Sequence, residues 1–478
     1  MKVGVLFVLL MFWFPLIHVA QHHDTVKTEE PKVEMLKRWL LTKNWHLGCV
    51  EKDTVYGADV YRAYDYLKNR QQKTKTIVAI IDSGIDVSHE DLKDNLWYNR
   101  GEIPGNGIDD DNNGYVDDVH GWNFLGFPDG QPIKGTQVAD WEFLRLREKY
   151  MDVDTLKLSK KEKKEYDYFK NLVCRFAKLA TPTFSRVQSL RDKYVKRMYQ
   201  KRDARLSLGD GMNSLKMRYH GNNNLLGDES YHGSHVAGIV GATRENGIGI
   251  DGVADVELMI LKILDGGDEQ DKDVASAIYY AVDNEARVVN MSFSKYFPQN
   301  KKLVEKAMRY AEQKGVLLVK AAGNDHCLID EYPAYPYQFL SKTRKLKNFI
   351  CVGSINAFGF VSSFSNYGKK SVDIFAPGDG IVSTVLDDEY RKLSGTSMAA
   401  PVVTGVAALI WNYFPELCVE QVKRAILEGG ISWEGRYVNL PGDGDKVVDF
   451  AELCVSGRIL NALQSVKLAE QMYVNLKK

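Results

Sequence analysis

Cysteine is sparse in this 478-residue chain: there are six, and no two are spaced C-x-x-C. That spacing pattern excludes a zinc ribbon and a thioredoxin-type redox site. Cys49, Cys174, Cys327, Cys351, Cys418 and Cys454 are scattered, so no pairing follows from the sequence. Cys351 and Cys418 lie in apolar stretches and read as buried thiols as readily as half-cystines. Net charge is also missing, with 63 basic residues against 63 acidic ones. Nothing in that balance favours nucleic acid or an anionic membrane as partner. Long apolar runs are absent beyond Val3–Val19, so no later segment is long enough to cross a bilayer. Histidine, finally, does not occur after His326.

The first twenty residues are a segment apart. Lys2 precedes the apolar run, and Ala20 stands before the polar Gln21-His22-His23-Asp24. This reads as a secretory signal peptide cleaved after about Ala20, with an uncleaved anchor as the alternative. No cysteine follows the run closely, which argues against a lipid anchor. The expectation is export to a periplasmic, cell-surface or extracellular location, where disulfides are permitted.

Three stretches carry chemistry. Gly395-Thr396-Ser397-Met398-Ala399-Ala400-Pro401 runs from a loop into a helix, with Val402, Val403, Val406, Ala407, Leu409 and Ile410 following at helical spacing. Pro401 is tolerated only near a first turn, which puts the helix start close to Ser397. There a hydroxyl meets free backbone N–H groups and the positive end of the helix dipole, and a cap is the plainer reading of the same serine. Thr76–Asp82 is a short β-branched run ending in an acid, so Asp82 closes a buried strand. His232–Ala242 is a small-residue helix that opens with a histidine. A serine hydroxyl needs a base to take its proton, and the base works best when a buried carboxylate fixes its tautomer. Asp82, His232 and Ser397 supply those three parts. An α/β-hydrolase places its histidine after the serine; the absence of histidine beyond His326 rules that plan out here.

The order Asp, His, Ser, in the stretches D-S-G, H-G-S-H-V-A-G and G-T-S-M-A-A-P, resembles the subtilisin-like serine proteases, the subtilases. Ser234 stands where threonine is more usual and keeps the hydroxyl. By that resemblance Asn324, at the end of the strand Val316–Lys320, is the oxyanion-hole side chain. Ser292, Phe293 and Ser294 then line the substrate groove, with Ala321, Ala322 and Gly323 as the other wall. The family commonly has Gly where Ser294 stands, which bears on the shape of the primary pocket. The resemblance implies a secreted serine endopeptidase acting on protein or peptide through an acyl-enzyme, with no cofactor in the chemistry. Many secreted subtilases carry a folded propeptide; the polar leader 21–75 is too short for one, and its Trp45-His46-Leu47 and Tyr61–Leu67 read as a lead-in packing on the catalytic domain.

Gly107–Asp118 alternates hard oxygen donors, with Asp109, Asp111 and Asn113 before Gly114 and then Asp117. Asp109, Asp111, Asn113 and Asp117 form a candidate Ca²⁺ set, although His120 stands where an EF-hand needs glutamate. A solvated acidic turn is the plainer reading. His232 and His235, three apart with Asp82 and Asp86 nearby, admit a metallohydrolase, which leaves Ser397 and Asn324 unexplained.

Residues 135–208 separate the Asp and His stretches with mixed charge and two apolar helical seams broken by Pro182, which predicts a helical hairpin. It reads as a decorative subdomain, or as a lid, a partner-binding arm or a substrate-selecting wall. A catalytically silent scaffold binding through this insert is the alternative function. Between 236 and 411, strands (258–264, 287–291, 316–320, 349–352) alternate with helices (274–282, 303–314), and a helix at 415–427 follows. The fold expected is α/β: three layers, a mostly parallel sheet covered by helices, subtilisin-like, plus the hairpin. The catalytic domain is placed at 76–468, with 469–478 as a tail.

Overall fold

A computed structural model describes residues 43–125, 146, 149–150, 153–163, 165–169, 219–341 and 343–478. The expected signal peptide, the first part of the leader, Cys174 and most of the 135–208 hairpin lie outside the described residues.

A nine-stranded sheet is the backbone of the molecule. Its central strands are β1 (Thr76–Asp82), β3 (Val256–Lys262), β4 (Val288–Met291), β5 (Leu317–Ala321), β6 (Phe349–Asn356) and β7 (Ile374–Asp379). β2 (Gly121–Asn123), β10 (Ile431–Ser432) and β13 (Arg458–Ile459) complete it, in the order β10-β13-β7-β6-β5-β4-β1-β3-β2. Every neighbouring pair is parallel except β10 with β13. Parallel strands are covered on both faces, which is why these runs read as continuous Val, Ile and Leu.

Two helices cover one face: α2 (Ser230–Gly241) over β1 and β3, and α5 (Thr396–Tyr413) over β4 to β7. On the other, α3 (Asp271–Asp283) and α4 (Lys301–Lys314) pack on each other and on the strands. α6 (Val419–Gly429) and α7 (Ala462–Leu476) lie at the side of α5, and α1 (Val60–Leu67) packs on α7. The three-layer reading therefore holds. Predicted elements match to within a few residues, except that α6 begins at Val419 rather than 415, because the Cys418 backbone N–H is capped by Gln421.

Two expectations change. α7 runs to Leu476, through the boundary set at 468, with Ala469 and Met472 buried. Those residues belong to the domain and not to a tail, since they continue the 3–4 spacing of Ala462 and Val466. Cys418 is exposed, whereas Cys351 is buried as read. The lead-in is tied down: Trp45 and Leu47 are buried, and Trp45 Nε1 donates to the Gly380 carbonyl at 3.0 Å.

Of the insert, the described part includes Leu146, Tyr150 and Phe169, which form a small buried cluster with Phe297. Tyr168 stacks edge-on against Phe297 at 5.5 Å. Phe297 lies five residues beyond Ser292, so the insert rests beside the segment expected to line the groove.

Candidate active site

Parallel strands deliver their C-terminal ends to one edge of the sheet, and the three stretches meet there. Asp82 closes β1 and is 1% exposed. Its Oδ1 accepts the Ser83 N–H at 2.8 Å and lies 2.7 Å from His232 Nδ1. His232 sits in the first turn of α2, and Ser83 fastens that turn. Ser83 Oγ donates to the Glu229 carbonyl and accepts the Gly233 N–H, while Ser230 Oγ donates to the Ser83 carbonyl. Gly233 is required: a Cβ there would lie 2.0 Å from the Gly84 carbonyl oxygen. Ser234 Oγ accepts the Asp86 N–H at 3.0 Å, so the hydroxyl that replaces threonine holds the loop after Asp82.

With Nδ1 donating to Asp82, Nε2 of His232 carries the lone pair. Burial alone pushes this imidazole down; the charge and hydrogen bond of Asp82, with Glu229 behind, carry it above the ordinary value of 6.5.

Ser397 is in the first turn of α5, one residue after its start. Its Oγ donates to the Ser292 carbonyl at 2.9 Å, and Ser292 Oγ donates to the Ser397 carbonyl at 2.7 Å. Among the described residues no hydrogen bond joins Ser397 Oγ to His232. Pro401 explains the second contact. It has no N–H to give the carbonyl four residues back, and that carbonyl belongs to Ser397. Behind Ser292 stands a buried relay in which Thr404 Oγ1 donates to Asn290 Oδ1 and Asn290 Nδ2 donates to Ser292 Oγ, both at 2.9 Å.

Asn324 follows β5. Its Oδ1 accepts both the N–H and the Oγ1–H of Thr396, each at 2.9 Å, which turns Nδ2 the other way. A Cβ built on Gly395 would lie 3.3 Å from Asn324 Nδ2 and 3.6 Å from the Ser397 nitrogen. The two donors thus border one small space kept open by a glycine. Thr396 is the residue that motif reading passed over, although it sits inside G-T-S-M.

Ser292–Ser294 continue from β4, and Ala321–Gly323 lie at the end of its neighbour β5. Gly323 has φ +109, and a Cβ there would meet Ser294 Oγ at 2.8 Å and Asn366 Nδ2 at 2.3 Å. Ser294, where glycine is usual, therefore reaches across toward the opposite wall. Asn366 is a further residue missed: it donates to the Ala322 carbonyl and accepts from the N–H groups of Asp325 and Cys327.

Of the four candidate calcium ligands, Asp109, Asp111 and Asn113 lie together, the Asn113 N–H donating to both carboxylates, while Asp117 turns elsewhere. Asp117 has φ +53, and its carboxylate accepts the N–H groups of Gly105, Asn106 and Gly107. Asn113 turns Nδ2 toward Asp111 and Asp118, and its Oδ1 accepts the Tyr115 N–H. Asp109 and Asp111 also gather with Glu102, the carboxylate oxygens of the three lying within 4.8 Å of one another. Asp118, buried below, takes hydrogen bonds from Tyr280, Asn99 and Asn113, and burial raises its carboxyl to about 6.

His235 does not share a ligand sphere with His232. It is fully buried, and its Nε2 lies 3.1 Å and 2.9 Å from the carbonyl oxygens of Ile381 and Arg391, to which it donates. Those carbonyls frame the hairpin of β8 (Ile381–Thr384) and β9 (Tyr390–Leu393). Burial lowers its pKa to about 4, and the ring is a neutral pin between α2 and the hairpin.

This chain is similar to known subtilases and serine proteases. The model of the subtilase family matches residues 73–430, most of the chain. A thermophilic serine proteinase from Bacillus sp. (strain AK1) is 40% identical over 185 residues, covering 38% of this chain and 43% of that protein. The major intracellular serine protease of Bacillus subtilis (strain 168) is 38% identical over 201 residues, covering 41% of this chain and 60% of that protein. The chain thus spans about half the length of these curated relatives. A solved protease from Pseudoalteromonas arctica shares the fold, with a TM-score of 0.51 at 19% identity, over 89% of this chain and 97% of that one.

Proposed function

The chain belongs to the subtilase family, and from that premise we propose that it is a serine endopeptidase working through Asp82, His232 and Ser397. The observation that carries the reading is the convergence at one sheet edge of the Asp82–His232 pair, Ser397, and the two donors Asn324 Nδ2 and Ser397 N–H.

The steps follow from those contacts. Ser397 Oγ turns from the Ser292 carbonyl to His232 Nε2 and attacks the substrate carbonyl, while Nε2 takes its proton. The imidazolium that forms is held by Asp82 through Nδ1. The carbonyl oxygen becomes an oxyanion between Asn324 Nδ2 and the Ser397 N–H, beside Gly395. His232 returns the proton to the leaving amine, and the acyl-enzyme is released by water activated the same way. The substrate lies as an added strand along Ser292–Ser294, with Ala321–Gly323 opposite.

Three finer readings go with this. Export rests on the Met1–Ala20 segment and is checked by sequencing the amino terminus of protein recovered from the cell envelope or medium. Calcium is proposed at Glu102, Asp109 and Asp111, where hard oxygens cluster; the ion would brace the loop after β1 and take no part in the chemistry. The insert, seated on Phe297, acts as a substrate-selecting wall.

Labelling by a fluorophosphonate tests the central reading. Wild type is labelled and degrades casein, and Ser397→Ala loses both. Folded wild type that takes no label is the silent scaffold instead.

A further inference from the structure

Asn324 stands in a turn that a single buried amide holds from both sides. Asn366 is fully buried. Its Nδ2 donates to the Ala322 carbonyl at 2.9 Å, and its Oδ1 accepts the N–H groups of Asp325 at 3.1 Å and Cys327 at 2.8 Å. Its own backbone N–H donates to the Gly323 carbonyl at 2.9 Å. The chain before and after Asn324 is thus tied to one residue, while Thr396 fixes the Asn324 amide itself. A side-chain amide offers two donor hydrogens and two acceptor sites. Three of these are used on the turn. The fourth, a hydrogen on Nδ2, goes to the Tyr296 hydroxyl at 2.8 Å.

Tyr296 closes this frame. Its hydroxyl accepts that hydrogen and donates its own to Asp325 Oδ2 at 2.7 Å, one residue past Asn324. Burial, with the Asp325 charge beside it, raises the phenol above its ordinary value of 10, so it stays protonated and donating at neutral pH. The half-buried ring has a second neighbour. It packs against the cluster of Leu146, Tyr150, Phe169 and Phe297 that seats the insert, and against the main core as well. Next along the chain, Phe297 takes Tyr168 of the insert edge-on at 5.5 Å. Tyr296 thus touches the insert with its ring and the oxyanion turn with its hydroxyl.

The geometry points to Asn366 and Tyr296 as positioning residues for the oxyanion hole, with Tyr296 passing the seating of the insert on to Asn324. This rests on the peptidase reading of Ser397. Holding an oxyanion takes a donor fixed before the charge appears, because a turn that must reorganise gives back part of the gain. Neither residue needs to touch substrate to supply that. Without the Tyr296 hydroxyl, one hydrogen of a buried amide loses its partner. Asn366 can pair it again only by swinging away from the Ala322 carbonyl or from the N–H groups of Asp325 and Cys327, and Asn324 moves with them. The insert then bears on turnover as well as on the choice of substrate.

The experiment uses the full chain, one peptide substrate, and a peptide boronic acid that forms a tetrahedral adduct on Ser397. Rates are counted per fluorophosphonate-labelled serine, so that a loss of folded protein does not pass for a loss of turnover. Tyr296→Phe keeps the ring on the insert and removes only the hydroxyl. Its kcat falls by about five- to tenfold with KM within about twofold of wild type, and affinity for the boronic acid falls by the same factor as kcat/KM. Phe169→Ala, which loosens the seat of the insert, lowers kcat by about threefold in the wild-type background and adds nothing in Tyr296→Phe. Should Phe169→Ala not fold, Tyr168→Ala takes its place. An unchanged kcat in Tyr296→Phe overturns the inference, and so does a lower kcat with boronic acid affinity intact. Equal losses from the insert variant in both backgrounds, or no loss in either, overturn the insert's share in it. Wild type that labels and cleaves, matched by Tyr296→Phe, sinks this inference alone; wild type that neither labels nor cleaves sinks the peptidase reading with it.

Discussion

Ser292 and Ser397 hold each other by reciprocal hydrogen bonds, each hydroxyl donating to the other's carbonyl, at 2.7 Å and 2.9 Å. The contact exists because Pro401 cannot give its helix the hydrogen bond that the Ser397 carbonyl would otherwise accept. The side chain of a strand residue does what a helix N–H normally does, and so the nucleophile's helix is welded to the groove.

Ser292→Ala therefore leaves the Ser397 carbonyl and Asn290 Nδ2 without partners and costs about 1–3 kcal/mol of stability. The Ser292 carbonyl remains, so labelling by a fluorophosphonate persists while kcat falls. Adding Pro401→Ala restores an N–H to that carbonyl. In a double-mutant cycle the Ser292→Ala cost then drops measurably. A cost unchanged by Pro401→Ala would show that the weld does not matter.

His232 must be neutral to accept a proton, and Asp82 holds its pKa above 6.5. Activity should rise with pH along an acid limb whose midpoint lies above 6.5. Asp82→Asn removes the charge, so that limb moves down, and kcat falls by about 10⁴. The pH profile of kcat/KM for both forms checks the sign.

Asn324 depends on Thr396 for its orientation. Asn324→Ala removes one of two oxyanion donors and lowers kcat by about 10²–10³. Thr396→Val keeps the amide and one backbone N–H but frees Asn324 to turn. It lowers kcat with little change in KM, and Thr396→Ser recovers the loss. Steady-state kinetics on one peptide suffice.

The fold was legible because its signals are local: β-branched runs of strand length alternating with helical spacing, and a triad written in three short stretches. What escaped depended on chain reversal. Glu102 joins Asp109 and Asp111 from outside the acidic run. Asp117 left the expected set because its left-handed backbone swings the carboxylate back to Gly105–Gly107, which an alternating pattern does not foretell. The extension of α7 past 468 was written in the spacing of Val466, Ala469 and Met472.

Calcium tests the rearranged set. Excess Ca²⁺ should raise the unfolding temperature of wild type, with stabilisation of about 2.7 kcal/mol at a hundredfold excess over Kd. Glu102→Gln should lose that response, whereas Asp117→Asn should keep it while lowering stability without the ion, because its carboxylate braces Gly105–Gly107. Thermal melts with calcium and with chelator separate the two.

His235 sets a limit on acid stability. Folding lowers it from 6.5 to about 4, and His46, buried with neither ring nitrogen bonded, is lowered to about 3. Both groups stay neutral in the folded chain while the unfolded chain takes up protons. Stability is therefore full above about pH 6.5, falls as pH drops through 4, and is lost most steeply between them. The His235 share is on the order of 3 kcal/mol. His235→Gln, which keeps a donor for the Ile381 and Arg391 carbonyls, should be less stable than wild type at neutral pH yet fall off less steeply with acid. Denaturant unfolding at several pH values reads the slope directly, and an unchanged slope would assign the acid loss to His46 and the carboxylates instead.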